Sequence, residues 1–149
     1  MLVAKVLVFY NVGEQPLLLL LKRTSKALVS PGMEDLPGGT IESGESVADG
    51  AVREVQEEAG LTLKRMQQLT THEWPHPSGK MVLEYLFCAV VDTKDVTISP
   101  REHDSFRWIK LDELEHSALH PNIKKIIHLQ QHHIEELLKS HNESKSIVL

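Results

Sequence analysis

The stretch from Leu36 to Leu61 constrains this chain more than any other. It begins Leu36-Pro37-Gly38-Gly39-Thr40-Ile41-Glu42-Ser43-Gly44-Glu45 and ends Arg53-Glu54-Val55-Gln56-Glu57-Glu58-Ala59-Gly60-Leu61. Gly38 and Gly39, following Pro37, can take backbone angles closed to other residues and bring carbonyls close to a ligand. Gly44 lets the loop turn into a helix predicted over Ser46–Ala59, with Ser46 or Ser43 as its N-cap. Gly60 suits a left-handed cap at the other end.

That helix carries three carboxylates, Glu54, Glu57 and Glu58. Glu54 and Glu58 fall one turn apart with Glu57 beside them, and like charges at this spacing repel by a few tenths of a kcal/mol per pair, roughly. At roughly 100° per residue, Val47, Ala48, Ala51, Val52 and Val55 form one apolar arc, with Glu54 and Glu58 at its edge. A merely solubilising glutamate belongs on the far side, near Asp49 and Gln56. Hard divalent cations prefer carboxylate oxygens, so the pattern points to metal-assisted chemistry on phosphates.

The run Gly39, Glu45, Arg53, Glu54, Val55, Glu57, Glu58, Gly60, Leu61 resembles the signature of the Nudix hydrolases, with every fixed position filled. With average residue frequencies, a chance match is on the order of one in ten million. The resemblance implies that Gly38 (through its carbonyl), Glu54, Glu57 and Glu58 bind Mg²⁺ or Mn²⁺. It also implies that Gly39, Glu45, Arg53 and Gly60 are mainly structural. Arg53 lies one turn before Glu57 and can pair with it while reaching Glu45. The expected activity is cleavage of a diphosphate linkage in a nucleoside di- or triphosphate, in the manner of the MutT branch. Glu54 is the first choice for general base and Glu102 the second, with Glu57 also in the catalytic set. Two alternatives stay open: an ADP-ribose, nucleotide-sugar or dinucleoside-polyphosphate substrate, to which Pro75 and Pro77 bear some likeness, and a non-catalytic nucleotide sensor.

Composition agrees. The 149 residues are 41% apolar and 25% charged, ordinary for a globular protein and enough for one substantial core. We therefore expect a single Nudix domain over residues 1–149. A net charge of -5 without a basic cluster argues against binding a nucleic-acid polymer. The partner expected instead is a small nucleotide, whose phosphates an acidic protein can hold through metal ions. The single cysteine excludes an intrachain disulfide, and the apolar run Leu17–Leu21 is far too short to span a bilayer. We expect a cytoplasmic protein and leave a homodimer open.

Strands are predicted at Leu2–Tyr10, Leu17–Arg23, Leu61–Glu73, Met81–Val91 and Phe106–Ile109, and a second helix at Asn122–Lys139. Mixed strands flanked by two helices give an α/β sandwich with a mixed sheet, which is also the architecture the resemblance implies. Outside the signature, Pro100-Arg101-Glu102-His103-Asp104 is a charged loop where Nudix enzymes often place an acidic metal ligand or base; Glu102 is the candidate, with Asp104 behind it. Arg23 ends the second strand, where family members often have a phosphate-contacting arginine. Asn122, after Pro121, is a helix N-cap by residue type and a purine reader by resemblance to the MutT branch. Trp74, Tyr85 and Trp108 are read as core residues or as stacking platforms for a base.

Overall fold

A computed structural model of the chain describes residues 1–13 and 15–148, with side chains through His141. Its strands are β1 (Leu2–Tyr10), β2 (Leu17–Arg23), β3 (Glu34–Asp35), β4 (Gly38–Thr40), β5 (Arg65–Pro75), β6 (Met81–Val91) and β7 (His103–Lys110). Helix α1 spans Val47–Ala59, a 3₁₀ turn Leu111–His116, and two further helices follow, α2 (Pro121–Leu129) and α3 (Gln131–Val148). The strands form a seven-stranded mixed sheet ordered β3-β2-β1-β6-β5, with β4 joined to β1 and β7 to β2. β1 runs parallel to β6 from Leu2/Leu83 to Tyr10/Val91, and the other pairs are antiparallel.

β1, β2 and β6 are apolar on both sides because the sheet is covered on both faces. On one face Ala4, Val6, Val8, Leu19, Leu21, Phe87 and Ala89 pack against Ala51, Val55 and Ala59 of α1. On the other, Leu7, Phe9, Leu18, Leu20, Leu86, Cys88 and Val90 meet Ile127 of α2 and Ile134, Leu137 and Leu138 of α3. This is the expected α/β sandwich. Tyr85 and Trp108 pack against the α1-side cluster, in line with the core reading, and burial pushes the Cys88 thiol up to about 12.

One departure from simple pairing builds the site. β1 and β2 pair only at Phe9/Leu18 and Tyr10/Leu17. Beyond that point they part, and the segment from Glu34 to Thr40 fills the space between them. Its first residues pair with β2 (Leu21/Asp35, Lys22/Glu34) and its last with β1 (Val3/Thr40, Ala4/Gly39, Lys5/Gly38). The Pro37 carbonyl accepts the Val6 N–H at 2.9 Å. The glycine-rich segment, read from sequence as loop, is thus part of the sheet.

Other boundaries also moved. The second predicted helix breaks at Gln130 into α2 and α3. Pro121 begins α2 and His120 caps it, its Nδ1 accepting the Asn122 N–H at 3.1 Å; the capping reading of Asn122 is therefore corrected. β5 starts at Arg65 rather than Leu61, and Leu61 packs in the α1-side core. No helix among the described residues is long and apolar enough to cross a membrane.

Candidate active site

α1 is positioned by its ends and its loop. Ser46 accepts the Asp49 N–H at 3.0 Å, and Gly60 (φ 67°) donates its N–H to the Gln56 carbonyl. Arg53 ties the loop to the helix: Nε and Nη2 grip both Glu45 oxygens at 3.1 and 2.7 Å, and Nη2 also donates to the Thr40 carbonyl. Its Nη1 reaches Glu54 and Glu57, each at 3.0 Å. Gly50, which sequence reasoning passed over, is buried under the returning loop; a Cβ there would lie 2.5 Å from Ile41 Cδ1 and 2.8 Å from Glu45 Oε1.

The buried face of α1 is narrower than the predicted arc. Ala48 and Val52 are exposed, whereas Glu58 is buried alongside Ala51, Val55 and Ala59. Glu58 Oε2 accepts the Gly38 N–H at 2.9 Å. Burial, opposed by Lys5 and the Gly38 N–H and reinforced by neighbouring Glu102, pushes its carboxyl up to about 8. Glu54 is also raised, by burial first, with Arg53 opposing and Glu57 and Glu102 adding to the rise. Glu54 lies directly on Gly39, where a Cβ would come within 2.6 Å of its carboxylate. At Gly38 (φ 149°) a Cβ would meet the Ala4 carbonyl oxygen at 2.0 Å. Gly39 thus makes room for a side chain, and Gly38 for a neighbouring strand.

A cleft of about 820 Å³ lies over these residues. Gly38, Gly39, Glu54, Glu58, Arg23, Glu102, Asn122 and Trp74 all line it. Glu57 and Asp104 do not; Glu57 lies on the exposed side of α1, held by Arg53. Arg23 is braced by the Val29 carbonyl at 2.7 Å and by Asp35 at 3.4 Å.

Three participants were missed from sequence. Lys5 interrupts the apolar run of β1; its Nζ sits 2.9 Å from Asp35. Burial pulls Lys5 down, but Asp35, Glu58 and Glu84 together raise it, so it is a cation at the floor of the cleft. Asp35, immediately before Leu36, joins Lys5 and Arg23. His103 was read only as part of a charged loop. A lone lysine in an apolar strand was the available signal for the first; nothing in the sequence set the other two apart.

The match of this chain to known families is decisive over most of its length. The model of the NUDIX domain matches residues 1–130. The chain belongs to the Nudix family. Among curated Nudix relatives, the NAD-capped RNA hydrolase NudC of Escherichia coli is 32% identical over 83 residues, which is 56% of this chain and 31% of that protein. This chain thus spans about a third of the length of the curated relatives it matches. In structure it is similar to a MutT protein from Methanosarcina mazei Go1 (TM-score 0.77, 26% identity, 89% of this chain and 94% of that one). It shares its fold with a C. elegans Ap4A hydrolase (TM-score 0.71, 21% identity, 85% and 92% covered). The same holds for the NUDIX domain of Shewanella oneidensis NrtR complexed with ADP ribose (TM-score 0.70, 22% identity, 94% and 87% covered).

The residues present suit the divalent cation that Nudix hydrolases use. Glu58 and Glu102 present donor atoms within 4.8 Å of one another, together with His103. Burial first, and then the Glu102 carboxylate, raises both Glu54 and Glu58, a crowding of acidic groups that a bound cation relieves.

Proposed function

We propose that this Nudix protein is a metal-dependent hydrolase that cleaves a diphosphate linkage in a nucleoside di- or triphosphate, as a MutT-like pyrophosphohydrolase. One observation carries the reading: Gly38, Glu54, Glu58, Glu102, Arg23 and Asn122, drawn from separate parts of the chain, line a single cleft of nucleotide size. Glu54, Glu58 and the Gly38 carbonyl would hold Mg²⁺ or Mn²⁺ from the cleft lining, with Glu57, which shares the Arg53 guanidinium with Glu54, joining them from the rim. When bound, such a cation neutralises charge on the diphosphate and lowers the pKa of water.

The chain's own groups do the rest. Arg23, fixed by Val29 and Asp35, binds a phosphate oxygen, and buried Lys5, paired with Asp35, sets one positive charge at the cleft floor. Glu54 accepts the proton of the attacking water. Its carboxylate, lying on Gly39 at the cleft wall, is placed to take that proton. Glu102 lines the same cleft and is the alternative base. Water attacks phosphorus in line with the bridging oxygen; that bond breaks, releasing a nucleotide and pyrophosphate or phosphate. Asn122 reads the base with its amide, and Trp74 offers a stacking face. A single domain acting in the cytoplasm on a free nucleotide completes the proposal.

The test is hydrolysis of a panel in Mg²⁺ and in Mn²⁺: ordinary and oxidised nucleoside triphosphates, ADP-ribose and diadenosine tetraphosphate, with products identified. Monophosphate and pyrophosphate from a triphosphate support the proposal. Turnover of ADP-ribose or the dinucleotide alone would replace the substrate, and turnover of none would remove the enzymatic reading.

A further inference from the structure

A nitrogen donor stands among the carboxylates. His103 opens β7 opposite Arg23, where the pairing of β2 and β7 shifts register between Lys22 and Arg23. The N–H groups of Glu102 and His103 both donate to the Ser99 carbonyl, at 3.1 and 3.0 Å, and the Glu102 carbonyl accepts the Thr24 N–H at 3.2 Å. A closed turn anchored to the end of β2 therefore fixes both residues. His103 is only 2% exposed. Neither Nδ1 nor Nε2 has a hydrogen-bond partner among the described residues. Buried polar atoms are rarely left unmet, and each such case calls for an explanation.

The surroundings supply one. A ring nitrogen of His103 and carboxylate oxygens of Glu58 and Glu102 lie within 4.8 Å of one another. We propose that His103 gives a ring nitrogen to a cation shared with Glu58 and Glu102, making a mixed nitrogen–oxygen centre that favours Mn²⁺ over Mg²⁺. Mg²⁺ takes an all-oxygen shell, whereas one imidazole in the donor set shifts preference toward first-row transition ions, of which Mn²⁺ is the one that also accepts the two carboxylates as oxygen ligands. The inference rests on the metal-dependent reading of this cleft and adds a ligand that the glutamate signature does not contain.

Pulsed electron paramagnetic resonance of the protein with equimolar Mn²⁺ tests it without any turnover. The expected result is nitrogen modulation from a directly bound imidazole. It is absent from His103→Gln, whose Mn²⁺ affinity falls by roughly tenfold or more while Mg²⁺ affinity stays within about twofold. The variant is needed because the chain has 9 histidines. Circular dichroism confirms its fold, with His103→Asn as a second variant. No Mn²⁺ binding, no nitrogen modulation in the wild type, or modulation that persists in a folded variant overturns the proposal. Two of these outcomes need only the wild-type protein, so a variant that fails to fold does not shelter the idea. Hydrolysis in Mg²⁺ without a nitrogen signal would remove the histidine ligand and leave the proposed function standing; a nitrogen signal without hydrolysis would do the reverse.

Discussion

Adjacent glycines in one signature have different jobs, and substitution separates them. At Gly39 the nearest atoms an added methyl meets are those at the end of the Glu54 side chain. Gly39→Ala should therefore displace that carboxylate and cost roughly tenfold or more in kcat, while the denaturation midpoint changes little. At Gly38 the methyl meets the Ala4 backbone in the adjacent strand, so Gly38→Ala should cost stability outright, by a few kcal/mol on the order of other severe backbone strain. Equilibrium unfolding of both variants beside steady-state kinetics checks the contrast. Glu58 makes a prediction about pH. Its ordinary value is 4.5 and the folded value about 8, so the folded state keeps a proton that the unfolded state releases. That contribution is fully present below about 4.5 and is lost as pH rises toward about 8, by up to roughly 1.4 kcal/mol per unit. In chelator, stability should fall across this window, and Glu58→Gln should flatten the decline. The glutamates were legible in the sequence because a fixed spacing marks them. His103 was not, since its burial beside Glu58 depends on how the end of β2 meets β7.

At the scale of elements, the loop and α1 act as one part because Arg53 holds Glu45, Glu54, Glu57 and the Thr40 carbonyl together. A lysine offers a point charge instead of a planar fork and cannot serve all of them. Arg53→Lys should leave the core intact yet lower kcat by roughly tenfold or more, and hydrogen exchange should quicken across residues 39–46. Unchanged exchange there would show that the loop does not depend on the clamp. The helix was legible from its caps and apolar period, even to Gly60 in a left-handed conformation. The break at Gln130 was hidden because apolar residues on both sides of it continue one helical period. The short strands β3 and β4 were hidden because their pairing is supplied by the parting of β1 and β2, a non-local event.

Across the whole molecule, the sandwich gives the cleft a rigid base. β1 contributes Leu7 and Phe9 to one core layer and Val6 and Val8 to the other, while Lys5 of the same strand lines the cleft. Sheet, α1 and the turn before β7 therefore meet at one place, and a cation bound there draws on all three. Mg²⁺ or Mn²⁺ should raise the melting temperature by mass action, more at pH 8 than at pH 6 because binding to Glu58 must displace its proton. The mixed sheet with helices on both faces was legible from the alternation of elements. The cleft was not, because it exists only once distant segments converge. On the proposed reading, Glu54 and Glu58 make this cleft a centre for diphosphate hydrolysis. The most direct measurement is the turnover of wild type, Glu54→Gln and Glu58→Gln on the best substrate at saturating Mg²⁺, with folding verified. A loss on the order of a hundredfold or more in both variants, as for removal of groups acting in the transition state, is the predicted result. Near-wild-type turnover in both would contradict the account.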